Sequence, residues 1–302
     1  MTKKHQKLLE LSKEELSLQT GFPITQAKQF NELLFSKGQE LYRDLPWRNT
    51  RDPYAIWISE VMLQQTQVSR VLERWETWLE LFPTVDALAS ASQAEVLQLW
   101  QGLGYNRRAL MLKRAADYIS EHTSGKMPDE VLELEALPGI GPATAAGIVA
   151  FAYDKPSLYL ETNVRSVLLH EFFTDQDQVS DEELYQVLAL CLPQDNYRSY
   201  YYAFLDYGAH LKLIMPNPSR RSKHHATQSK FEGSHRQKRS FLLKQILSTS
   251  EEISFSELAY SLNTFEREHD RESLSDEYIK EILDELIREG FVKKSNLNYL
   301  SK

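Results

Sequence analysis

Three hundred and two residues carry 35 Lys and Arg against 43 Asp and Glu, a formal charge of −8, and a single cysteine. The length allows one large domain or two moderate ones, and a 42% apolar content with 5 Trp, 15 Tyr and 13 Phe supplies a sizeable core, which excludes a disordered chain. One cysteine excludes an internal disulfide, a four-cysteine zinc site and any cluster held by several thiolates.

The N-terminal stretch, MTKKHQKLLELSKEEL, has neither the apolar core nor the small-residue cleavage site of a secretory signal. No apolar run approaches the roughly 18 residues of a membrane span, so a cytoplasmic protein with no membrane partner is expected. Residues 1–22 read as an appended amphipathic helix. From residue 23 to about 210 the pattern is helical. Val68, Val71, Leu72, Trp75, Trp78, Leu79 and Phe82 recur at three- and four-residue spacing, as do Leu112, Ala115, Ala116 and Ile119, and such stripes read as core. Breaks fall at Pro83, Gly102-Leu103-Gly104, Ser124-Gly125 and Pro138-Gly139. No internal repeat or low-complexity tract is present.

The acidity is uneven. Between His210 and Lys244 nine Lys and Arg stand against one acid, Glu232, a net of +8, whereas Gln245–Lys302 carries −6. The basic segment, residues 211–240, reads either as a solvated linker or as a phosphate-contacting loop. Residues 241–302 form a further module. A helix is expected over Phe241–Ser248, a capping box at Ser254–Glu257 opens a second, and Ile279, Ile282, Leu283, Leu286 and Ile287 line a third that ends at Gly290. Phe291–Leu300 reads as two short strands around a polar turn. Three helices and a hairpin is the order of a winged helix. The third helix carries Asp276, Glu277, Glu281, Asp284, Glu285 and Glu289 against Lys280 and Arg288. That charge suits packing or protein contact better than a major groove.

The most specific local signal is Leu137-Pro138-Gly139-Ile140-Gly141-Pro142-Ala143-Thr144-Ala145. Its glycines permit a tight turn, and Pro142 suits the first position of the following helix. Such a turn aims amide donors and the positive end of a helix dipole outward, toward a phosphate. The same residues also serve an ordinary connection between two helices.

The hairpin resembles the helix-hairpin-helix turn of the base-excision glycosylases, and further segments resemble their MutY-type adenine DNA glycosylases. These are Leu45-Pro46-Trp47-Arg48, the run Trp57–Val68 containing SEVMLQQTQV, Trp100–Tyr105, and Leu160-Glu161-Thr162-Asn163-Val164-Arg165-Ser166-Val167. The resemblance covers roughly residues 40–210. It implies an all-α, helix-hairpin-helix glycosylase fold of two helical subdomains over residues 23–210, followed by the small winged-helix-like domain. It also implies excision of adenine mispaired with guanine or 8-oxoguanine from double-stranded DNA, by a monomer.

Adenine leaves deoxyribose poorly. An acid must protonate the base, and a carboxylate must stabilise the cationic sugar. By resemblance Glu60 is the acid, and a carboxyl among Ile58, Val61, Met62 and Leu63 is expected to hold its proton tightly. The second carboxylate of the family is an Asp, and here the position holds Glu161. One added methylene moves the charge by about 1.5 Å, and small misplacements can cost on the order of 100-fold. Asn163 matches an active-site Asn, with helix N-terminal capping as the alternative. Ala143 stands where bifunctional relatives such as endonuclease III carry a Schiff-base lysine; alanine has no amine nucleophile, so no strong lyase activity is expected. Gln64 or Gln65 and Tyr105 match the residues that fill the gap left by an extruded base. Leu137, Gly139, Gly141, Ala143 and Thr144 match the hairpin that holds the DNA backbone. Trp47 and Arg48 match positions around the adenine pocket, Trp47 equally suiting a core.

The family's iron–sulfur ligands would fall on Lys212, Ser219, Ser222 and Gln228, none of them a thiol, while Cys191 reads as a core residue. No cofactor is therefore expected. Many relatives also carry a Nudix-like domain, but the tail after residue 231 is short for one, and Phe231–Gln237 resembles the junction of relatives without it. Two alternatives stay open: a catalytically weak mismatch- or lesion-binding protein, motivated by Glu161, and a glycosylase for another mispaired base such as thymine.

Overall fold

Sixteen α-helices, two single-turn 3-10 helices and three short strands lie within residues 3–223, 230–295 and 298–301, which the computed structural model describes. The helices are α1 (Lys3–Leu8), α2 (Lys13–Thr20), α3 (Ile24–Glu40), α4 (Pro53–Met62), α5 (Val68–Leu81), α6 (Val85–Ser90), α7 (Gln93–Trp100), α8 (Arg107–Thr123), α9 (Val131–Glu135), α10 (Pro142–Tyr153), α11 (Thr162–Glu171), α12 (Asp181–Cys191), α13 (Tyr197–Ile214), α14 (His235–Leu247), α15 (Phe255–Glu268) and α16 (Asp276–Arg288). The strands are β1 (Ile253–Ser254), β2 (Val292–Ser295) and β3 (Asn298–Ser301). The described residues are all-α apart from these strands. No described helix is long and apolar enough to cross a membrane.

The chain folds into two bodies: Met1–Gln64 with Lys126–Ala226, and Gln65–Gly125 with Thr227–Lys302. Chain order and spatial order therefore differ. The boundary expected after residue 210 falls inside α13, and the one expected after residue 240 falls inside α14.

In the first body the N-terminal segment is two helices rather than one. A capping box between Ser12 and Glu15 starts α2, and Lys13 donates to the carbonyls of Ala189, Leu190 and Leu192 at the end of α12. A cation there satisfies carbonyls that a helix C-terminus leaves unpaired. Cys191 is buried in α12, where desolvation pushes its thiol up to about 12. Around α13 the core is aromatic: Tyr200, Tyr201 and Phe204 are fully buried, and Tyr200 meets the other two edge to face. Gly208 lets α13 approach α11 so closely that a Cβ would lie 2.5 Å from the Asn163 carbonyl oxygen.

In the second body, Val71, Trp75 and Trp78 form the buried stripe of α5 and Phe82 continues it at the C-cap, whereas Leu72 of the expected stripe is 36% exposed. Trp78 packs edge-on against Trp100 of α7. The C-terminal module belongs to this body. Gln98 of α7 donates to the Leu247 carbonyl and Gln93 to that of Gly290. The expected hairpin forms, with β2 and β3 antiparallel and Val292 opposite Ser301. It also gains a strand the sequence reading left out, because β1 pairs with β3 to give the order β1-β3-β2. The amphipathic α16 buries Ile279, Ile282, Leu283 and Leu286 and turns its acids away from that core.

Candidate active site and nucleic-acid interface

Glu60 and Glu161 both lie in the first body. Asp52 caps α4, Pro53 opens it, and eight of its ten residues are buried. Glu60 is the partly exposed exception near its end. Its Oε2 accepts the Tyr159 hydroxyl at 3.0 Å. Gly147 of α10 makes this meeting possible, since a Cβ there would lie 2.5 Å from Glu60 Oε2 and 2.9 Å from the Tyr159 ring. Burial raises the Glu60 carboxyl to about 8; the Tyr159 hydrogen bond pulls the other way, and the Glu161 charge adds to the rise. Desolvation likewise lifts the Tyr159 hydroxyl well above its usual value, so it remains a donor.

The chain from Ser157 to Glu161 crosses the back of this site. Ser157 donates to the Ala146 carbonyl, Tyr201 donates to the Ser157 carbonyl, and the Tyr159 amide donates to the Tyr201 hydroxyl. These bonds fix the approach of Glu161, which is the N-cap of α11. Its Oε1 accepts the amides of Asn163 at 2.6 Å and Val164 at 3.2 Å. Burial raises the Glu161 pKa; the charge of Lys212 and these two amides oppose the rise. Capping is thus done by Glu161 and not by Asn163, whose side-chain Oδ1 instead accepts the Lys212 ammonium at 2.7 Å.

The hairpin forms between α9 and α10. Gly139 has φ +75, and Leu137 and Ile140 are buried anchors on either side of it. Gly139 and Gly141 are exposed, Pro142 opens α10, and no acid stands in its first turn. The first-turn amides have no carbonyl partner within a helix, so this end can receive an anion through its backbone. Thr144 is buried, and its Oγ1 accepts Gln64 Nε2 at 2.9 Å. Leu137 and Thr144 therefore support the hairpin from inside and do not present side chains to a ligand. Ala143 keeps only its methyl group at the lysine position.

Of the two candidate wedge glutamines, Gln64 is half-buried and tied to Thr144, and Gln65 is exposed at φ +53. Tyr105, in the second body, is 42% exposed at φ +49. Its turn is held from below by the Trp100 indole, which donates to the Gly104 carbonyl, and by Arg108, which donates to the carbonyls of Leu103 and Gly104. The Tyr105 hydroxyl accepts Arg236 of α14 at 2.9 Å. Trp47 and Arg48 are buried. Arg48 makes a bidentate pair with Asp206 at 2.7 and 2.9 Å, so its guanidinium is engaged by protein.

The basic segment is partly turned inward. Arg221 donates to the carbonyls of Leu169, Phe173 and Thr174, Lys238 pairs with the buried Glu266, and Arg239 pairs with Glu285 and Glu289. Arg220, Lys223 and Lys230 are exposed. His224 and His225 lie outside the described residues. At the positions of the family's cluster ligands, Lys212 is engaged by Asn163, Ser219 and Ser222 are buried hydroxyls, and Gln228 lies outside the described residues. Thiolate ligands hold such clusters, and this donor set does not fit one. Among the described residues no three His, Cys, Asp or Glu side chains gather into a metal-binding group.

Tyr159, Gly147 and Lys212 are site residues that the sequence reading missed. A tyrosine two residues before Glu161 was the available signal for the first; the others had none.

A carboxyl raised to about 8, a second carboxyl at a helix N-terminus and an exposed glycine hairpin thus lie in the first body. Residues 58–193 match the HhH-GPD superfamily of base excision DNA repair proteins. Within it the similarity is to adenine DNA glycosylases. The chain is 32% identical to that of Buchnera aphidicola subsp. Baizongia pistaciae over 177 residues, 58% of this chain and 50% of the relative. It is 44% identical to that of Mycobacterium tuberculosis (strain CDC 1551 / Oshkosh) over 131 residues, 43% of each. The chain thus spans about half the length of these relatives. A solved thermostable thymine-DNA glycosylase superposes with a TM-score of 0.57 at 22% identity, over 66% of this chain and 91% of that one, a likeness of fold.

Proposed function

We propose that the chain is a monofunctional DNA glycosylase that hydrolyses the N-glycosidic bond of adenine mispaired with guanine or 8-oxoguanine in duplex DNA. The observation that carries this reading is Glu60, a carboxyl raised to about 8 by burial and set against the Tyr159 hydroxyl. At neutral pH it holds the proton that adenine needs in order to leave. Proton transfer to the base and cleavage of the C1′–N9 bond leave an oxocarbenium ion. The Glu161 carboxylate stabilises that charge, and water adds at C1′ while its proton passes to the Glu60 carboxylate left by the first step. With Ala143 at the lysine position the hairpin supplies no amine, so the product is an abasic site in an unbroken strand. The protein works as a cytoplasmic monomer without an iron–sulfur cluster, and the exposed end of α10 holds a phosphate of the DNA.

The test is base release from A·8-oxoG, A·G, A·C, T·G and U·G duplexes, each assayed with and without alkali. Adenine release that needs alkali to break the strand is the expected result. Glu60→Gln is expected to lower single-turnover release by about 10²–10⁴-fold while duplex binding survives. Equal release by wild type and Glu60→Gln would remove Glu60 from its role. A second reading, binding with weak turnover, is motivated by the longer Glu161 side chain. It requires little release by wild type and recovery in Glu161→Asp.

A further inference from the structure

Lys212 has no part in the chemistry above, yet it is built into the same site. Gly208 brings the backbone of α13 against Asn163. One helical turn later, on the same face, residue 212 must also point at α11. Its side chain does so: the half-buried ammonium donates to Asn163 Oδ1 at 2.7 Å. Lysine has donors only, so this bond dictates which end of the Asn163 amide faces it and turns the Nδ2 donor the other way. The ammonium also acts on Glu161, opposing the effect of that carboxyl's burial, and the Glu161 charge in turn supports the ammonium against its own burial. A cation partly withdrawn from water costs stability unless acceptors compensate. Its compensation comes from Asn163 and Glu161, two of the residues assigned to excision.

We propose that Lys212 is a positioning residue of the excision site, fixing the Asn163 amide beside Glu161. The inference rests on the glycosylase reading of Glu60 and Glu161 and goes beyond it. The position where the resemblance would place a cluster ligand is, in this chain, wired into the active site.

The test compares wild type, Lys212→Met, Lys212→Arg, Asn163→Ala and the Asn163→Ala/Lys212→Met double variant. Single-turnover release from an A·8-oxoG duplex and duplex affinity are both measured. Lys212→Met should slow release by roughly 10–100-fold, the scale of a small misplacement in a site, with affinity changed less than threefold. Lys212→Arg should recover most of the rate, and the double variant should lose less than the product of the two single losses. Wild-type release by Lys212→Met, beside an inactive Glu60→Gln, would overturn the proposal; so would equal losses in the Met and Arg variants, which would mean packing alone. If wild type releases no base, the glycosylase reading fails separately. The Asn163 side-chain amide resonances then decide: a shift in Lys212→Met that is absent in Lys212→Arg supports the positioning role, and no shift in either overturns it.

Discussion

The proton on Glu60 is set by three neighbours acting at one carboxyl. Apolar surroundings raise its pKa, the Glu161 charge raises it further, and the Tyr159 hydroxyl, which favours the ionised form, restrains it. The sign of a pH effect follows. An acid catalyst works while protonated, so release should be present below about pH 8 and be lost as the pH rises through that value. Tyr159→Phe removes the restraining donor without opening a large cavity. The alkaline limb of the single-turnover rate should then move to higher pH than in wild type. A limb that moves to lower pH would mean that the hydroxyl does not stabilise the ionised form. The closeness of Gly147 shows how little room the pair has, since any side chain there would meet Glu60 before it met Tyr159.

At the scale of elements, the site depends on two close helix approaches, α4 to α10 at Gly147 and α11 to α13 at Gly208. The second is backbone against backbone. Gly208→Ala would place a methyl 2.5 Å from the Asn163 carbonyl oxygen and 2.6 Å from its Cβ, so α11 must shift. Overpacking of this kind costs about 1–3 kcal/mol, to be read from the denaturant midpoint. Because Glu161 and Asn163 start α11, base release should fall further than the lost folded fraction explains; a loss equal to that fraction would detach the helix position from catalysis. Helical stripes such as those of α5, α8 and α16 were legible in the sequence because burial on a helix repeats locally, and Glu60 stood out as the one acid in an apolar run. The contacts that complete the site were not. Tyr159 meets Glu60 across 99 residues, Lys212 meets Asn163 across 49, and Arg236 meets Tyr105 across 131. Periodicity reports which face is buried, not which distant partner it meets. For the same reason the count of basic residues could not show that Arg221, Lys238 and Arg239 turn inward, or that Arg48 closes on Asp206.

The whole molecule carries −8, so any affinity for DNA has to come from local cations and backbone donors working against a repulsive average. Of the basic segment in the first body, Lys212 and Arg221 are held by protein acceptors, and Arg220 and Lys223 remain at the surface. Each phosphate neutralised on B-form DNA contributes about 0.9 to the slope of log affinity against log salt. If Arg220 and Lys223 face the backbone, Arg220→Ala/Lys223→Ala should flatten that slope by roughly one to two contacts. The single-turnover rate at saturating protein should stay unchanged, because neither residue belongs to the carboxylate pair or its supports. Titrations of one undamaged and one A·8-oxoG duplex at several salt concentrations make the measurement. Equal flattening on both duplexes identifies sequence-independent phosphate contacts. An unchanged slope would assign the DNA affinity to the α10 hairpin and to cations elsewhere on the chain, and would return this loop to the solvated linker that its composition equally allows.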